Sequence, residues 1–142
     1  MYVHEQSYRL GRYGTRRVII RVKDYWTIIL FVFVDYNKYN YIEDELINIS
    51  APDYIVDEIY DKINNKYNSG FTYSNPDYKT SVVGINKATS KSELLDTVIH
   101  EIDHVQGDIC NYYEIELDSE PAAYLIGYLA KSFYRVCTKC FC

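Results

Sequence analysis

The chain is predicted to fold as one α+β domain, residues 1–142, with helices packed on a short mixed β-sheet. Three observations predict it. Runs of β-branched and aromatic residues at 15–22, 27–35 and 80–86 read as strands. Apolar residues recur at helical spacing in 52–66, 90–111 and 118–136. No repeat, low-complexity tract or linker divides these segments, and 142 residues suffice for one core rather than two.

In chain order, Met1 to Gly14 is polar with two glycines, a lead-in or short edge strand, and His4 within it is expected on the solvated surface. Thr15–Val22 (TRRVIIRV) and Thr27–Asp35 (TIILFVFVD), separated by Lys23–Trp26, predict a hairpin. The second strand is apolar on both faces, so it belongs in the middle of the sheet, with helices over one side at least. Tyr41–Asn48 is a weaker helix. Pro52 to about Lys66 is a stronger one, with Ser50 as its cap, Pro52 in its first turn, and Tyr54, Ile55, Ile59, Tyr60 and Ile63 as its apolar stripe. Asn68-Ser69-Gly70 ends it, Phe71–Tyr73 is a short strand and Asn75-Pro76-Asp77 a turn. Thr80–Asn86 (TSVVGIN) is a further strand. The last helix begins at Asp118-Ser119, with Pro121 in its first turn and Ala122, Leu125, Ile126, Leu129, Phe133 and Val136 facing inward.

Between these lies the stretch that carries chemistry, Ser90 to Gln106, SKSELLDTVIHEIDHVQ. Ser90 and Glu93 form a capping box. Leu94, Leu95, Val98, Ile99, Ile102, Val105 and Ile109 make an apolar stripe, with His100 and His104 almost opposite; the helix is expected to fray after Gln106-Gly107 and end near Asn111. His100, Glu101 and His104 spell H-E-x-x-H. Imidazoles one turn apart on one helix face can point at a single metal ion, which is what a zinc site needs. The chain has three histidines, and two fall at this spacing around a glutamate. The competing reading is an amphipathic helix with two exposed histidines. A third ligand decides between them, and Glu120, at the head of the last helix, is the first choice; Glu114, Glu116 and Asp118 are its rivals in the same acidic connector.

Bulk properties narrow the function. A formal net charge of −5 argues against a nucleic-acid partner, which requires a basic face. No apolar segment precedes the first basic residues as a signal peptide would, and the longest apolar run, Thr27–Val34, is too short to span a bilayer. The expectation is a soluble, cytoplasmic protein without a membrane partner. The 17 tyrosines accompany many Ile, Asn and Lys residues, a coding bias rather than 17 binding residues. Cys137, Cys140 and Cys142 crowd the end of the chain; with Cys110 and His4 as the remaining ligands, reduced thiols are expected rather than a second zinc site.

The motif followed by Glu120 on the next helix resembles the gluzincin class of zinc metallopeptidases. The text SEPAAYLIGYL resembles the E-x-x-A-x-x-(F/Y/L) helix of ImmA/IrrE-type peptidases, and the likeness covers Ser81 to Val136. A HEI-x-H core with a closing SEEAAYL-like helix is also similar to short peptidases encoded by phages of gut bacteria, which would place the protein in a host cytoplasm. The resemblance implies a small zincin-like, minimal gluzincin domain that hydrolyses a protein or peptide substrate. Zn²⁺ would be held by His100, His104 and Glu120, with Glu101 as general base. It also implies that 80–86 is an edge strand lining the cleft, although the residues themselves suit a buried structural strand equally well. Tyr124, or Tyr112 or Tyr113, is a candidate transition-state donor, and Asp108 a candidate to orient His104. Two features depart from the family pattern: the His104-to-Glu120 spacing is short, and Pro121 follows the ligand directly. Two alternatives stand beside this reading: a catalytically silent zinc-binding phage accessory or virion-associated protein, and a metal-free interaction module. Oligomeric state and substrate are not set by these residues.

Overall fold

A computed structural model describes residues 3–9, 15–34, 39–64 and 66–141, with side chains described for 15–34, 39–64 and 66–137. The side chains of His4 and Cys140, and all of Asp35 and Cys142, lie outside them.

The expected hairpin forms. Strands β2 (Arg16–Val22) and β3 (Trp26–Val34) pair antiparallel, with Arg16 opposite Val32 and Val22 opposite Trp26. Strand β1 (Val3–Arg9) pairs antiparallel with β2 on its other side. Two helices follow, α1 (Tyr39–Asn48) and α2 (Asp53–Ile63). The chain then enters β4 (Gly70–Asn75), passes a 3-10 turn at Pro76–Tyr78 and returns antiparallel as β5 (Thr80–Asn86). β5 lies parallel to β3, so the five strands form one mixed sheet in the order β1-β2-β3-β5-β4. Two long helices complete the α+β fold, α3 (Lys91–Tyr112) and α4 (Glu120–Phe141).

Strand alternation divides the core in two. Val18, Ile20, Ile28, Leu30, Val83 and Ile85 point to the face covered by α3 and α4. Ile29, Phe31, Val82 and Phe71 point to the face covered by α1 and α2. β3 is buried on both faces, as its continuous apolar text predicts. Among the described residues no helix is long and apolar enough to cross a membrane.

Several expectations are corrected. The strand 80–86 is not at the sheet edge: it runs between β3 and β4, and β4 takes the edge. All seven residues of β5 are buried, which requires a neighbour on either side. Ser50 does not cap α2; it adopts φ 59°, its hydroxyl meets that of Tyr78 at 2.7 Å, and the cap position is Pro52. Leu95 and Ile99 are 53% and 49% exposed, and Ile126 is exposed as well, because each helix buries a narrower stripe than its apolar text offers. Nor does α3 fray at Gly107. It continues to Tyr112 and closes with Glu114 at φ 56° and a bond from the Ile115 N–H to the Cys110 carbonyl.

Candidate functional site

The site is built where α3 passes beneath β4. Ser90 starts the helix as its text predicts, its Oγ accepting the Glu93 N–H at 3.1 Å. Leu94, Val98, Ile102, Val105 and Ile109 then bind it to the sheet. The pleat of β4 presents Gly70, Thr72 and Ser74 to α3, while Phe71 packs into the opposite core. Glu101 points at this strand. Its side chain is 3% exposed, and Oε1 accepts a 2.8 Å hydrogen bond from the Thr72 hydroxyl. Seven residues on, two turns along the same face, Asp108 Oδ2 accepts from the Ser74 hydroxyl at 2.6 Å. With its one proton given to Asp108, Ser74 Oγ accepts from the Ser81 hydroxyl at 2.7 Å, and Ser81 Oγ accepts from the Trp26 indole at 2.8 Å. A chain of polar groups thus ties α3 to three strands.

His100 and His104 lie on the exposed side of α3, and their Nε2 atoms converge to 3.2 Å. Two nitrogens each about 2.0–2.1 Å from one tetrahedral zinc are separated by roughly 3.3–3.4 Å. The pair therefore fits two adjacent ligand positions. A groove of about 360 Å³ joins His100 and Glu101 to Gly70, Lys62 and Lys66. Gly70 has to be glycine there: a Cβ would collide with the Gly84 carbonyl oxygen and lie 3.1 Å from Glu101 Cγ and Oε2.

The other expected site residues are placed elsewhere. Glu120 opens α4 and is exposed. The Gln106 amide donates to the Ala122 carbonyl at 3.4 Å, so the first turn of α4 lies against a position roughly 160° around α3 from His104. Among the described residues no three His, Cys, Asp or Glu side chains form a group that could hold a metal. Glu120, Glu114, Glu116 and Asp118 thus do not join the imidazole pair. Asp108 bonds to Ser74 and not to His104. Tyr124 lines a separate apolar hollow of about 670 Å³ with Tyr25, Ile109 and Tyr128, and the Tyr113 hydroxyl in that hollow donates to the Tyr25 carbonyl at 2.8 Å. Tyr112 stacks on Tyr113. Cys110 and Cys137 are buried, and burial pushes the Cys110 thiol up.

Sequence reasoning overlooked Gly70, Thr72 and Ser74. Their signal is present as small and polar residues at period two, which marks one strand face meeting something other than the apolar core. Compared with known proteins, the chain has no significant match to a family model, a curated protein or a solved structure.

Proposed function

We propose that the protein is a zinc-dependent peptidase with a minimal zincin-like layout. The observation that carries this is the His100–His104 pair, spaced at 3.2 Å for one metal ion and adjoining a buried glutamate beneath the edge strand. His100 and His104 would hold the ion through Nε2. The resemblance implies Glu120 as the third ligand, but the first turn of α4 lies away from the pair, so its place in the ligand set rests on the metal-content test. Zinc, when bound, supplies Lewis acidity that makes water a nucleophile at neutral pH and polarises a substrate carbonyl. Glu101 would be the base for that water and would pass its proton to the leaving amine. The edge role expected of 80–86 passes to β4, whose outer side is where an extended peptide would pair.

Metal content by mass spectrometry on wild type, His104→Ala and Glu120→Ala tests the reading. About one zinc per chain in wild type and little in either variant is expected. Zinc retained by Glu120→Ala keeps the histidine pair and removes Glu120 from the ligand set. A folded wild type that takes up no added zinc ends the peptidase reading and favours an interaction module in which one neutral imidazole hydrogen-bonds the other.

A further inference from the structure

We infer that the hollow between the end of α3 and the head of α4 is a binding site for a small, uncharged molecule built on a flat aromatic ring. It stands apart from the imidazole pair and does not rest on the peptidase reading.

Local structure places its walls. The β2–β3 turn closes with the Tyr25 N–H on the Val22 carbonyl at 3.0 Å, which sets Val22 on the floor and Tyr25 at the rim. On α4, Pro121, Tyr124 and Tyr128 recur at helical spacing, so they share one face. That face is distinct from the stripe of Ala122, Leu129 and Phe133 that meets the sheet. Tyrosine suits a rim, since its ring is apolar and its hydroxyl can stay in water.

The hollow is held open by its own walls. The Tyr113 hydroxyl donates to the Tyr25 carbonyl at 2.8 Å, and the two rings meet edge-on at 5.9 Å. Tyr113 also stacks on Tyr112 at 4.8 Å. Beyond it, the Ile115 N–H is bound to the Cys110 carbonyl at 2.8 Å, which fixes the connector. These contacts would have to break for the wall to fold inward and fill the space.

Size and chemistry define the occupant. About 670 Å³ falls in the range of roughly 300–1,000 Å³ typical of small-molecule sites. No lining side chain among the described residues carries a charge. Charges of both signs lie nearby in sequence, Lys23 and Asp24 beside Tyr25 and Glu114 and Glu116 beside Ile115, so neither sign is favoured. An ion inside would lose water without gaining a partner. What the walls offer is apolar area and ring edges and faces. Tyr25 and Tyr113 already pack edge to face, and a ligand ring would extend that arrangement.

The test uses three probes that share one ring system: indole, tryptamine as a cation and indole-3-acetate as an anion. Methyl NMR resonances of the full chain are followed, because a ring seated in the hollow displaces those of Val22, Ile109 and Leu125 by its ring current. Indole is expected to shift these saturably, with about one molecule bound per chain, while Val82 and Ile59 in the other core stay in place. Tryptamine and indole-3-acetate should bind at least about 10-fold more weakly, as an unpaired charge on an apolar wall requires. Tyr124→Ala should weaken indole binding about 10-fold. Tyr54→Ala removes a ring from α2 that is as exposed as Tyr124, 64% in each case, and should leave binding unchanged. No saturable shift with indole, shifts spread over both cores, either ion binding as tightly as indole, a Tyr124→Ala variant that binds like wild type, or an equal loss in Tyr54→Ala overturns the assignment. None of these outcomes depends on zinc content, so the hollow and the imidazole pair are judged separately.

Discussion

Gly70 shows how one missing side chain can shape a site. Its strand is held against β5 in a register that puts Gly70 opposite Ile85 and Phe71 opposite Gly84. The space beside it is closed by the Gly84 carbonyl on one side and Glu101 on the other. Gly70→Ala should therefore force β4 away from β5 and destabilise the fold by about 1–3 kcal/mol, the usual cost of overpacking, read from urea unfolding. An alanine variant with unchanged stability would mean that β4 yields without cost. Gly70 reads in the sequence only as part of a helix stop, because the atoms that demand glycine come from residues 14 and 31 positions away. The H-E-x-x-H triplet was legible because its spacing is local to one helix, whereas its partners on β4 are set by the tertiary fold.

The helices on the second face of the sheet are joined by polar contacts as well as by apolar ones. The Tyr39 hydroxyl, at the start of α1, donates to the Val56 carbonyl of α2 at 2.6 Å, and its ring meets that of Tyr60 edge-on at 4.8 Å. Burial, together with the negative charges of Glu43 and Asp57, pushes its hydroxyl up from 10.0 to about 12. A group whose folded value is raised contributes stability that is complete below its unfolded value and lost as pH rises through the folded one. The α1–α2 contact should thus weaken between pH 10.0 and about 12, and Tyr39→Phe should flatten that part of the stability–pH curve; an equally steep curve in the variant would exclude Tyr39 as the cause. Element positions were legible where a punctuating residue makes the bond its type offers, as Ser90 does and Ser50 does not. The Ser90 cap and the Asn75 turn, whose side chain accepts the Asp77 N–H, appear where expected. Element neighbours were not legible, since the text of 80–86 marks a strand but not which strands flank it. The bulge at Phe33, with φ 56° between Val32 and Val34, likewise has no local mark in an unbroken apolar run.

At the scale of the molecule, one sheet serves two cores. Leu129 of α4 is buried against one face and Ile59 of α2 against the other, yet both cores contain residues of β3. Leu129→Ala and Ile59→Ala should each cost about 2–5 kcal/mol, as truncations of buried aliphatic residues do. Both should lower the midpoint of one shared unfolding transition, seen as coincident far- and near-ultraviolet circular dichroism. Separate transitions in either variant would show that the two layers fold independently. The polar chain from Asp108 through Ser74 and Ser81 to Trp26 crosses this same architecture. Trp26 is the sole tryptophan, and its ring also meets Tyr112 and Tyr113, at the end of α3, edge-on at 5.8 and 6.4 Å. Its indole is thus a native optical gauge: selective excitation reports, without any attached dye, whether the helix bearing the two imidazoles shifts on its sheet when an ion or a peptide arrives.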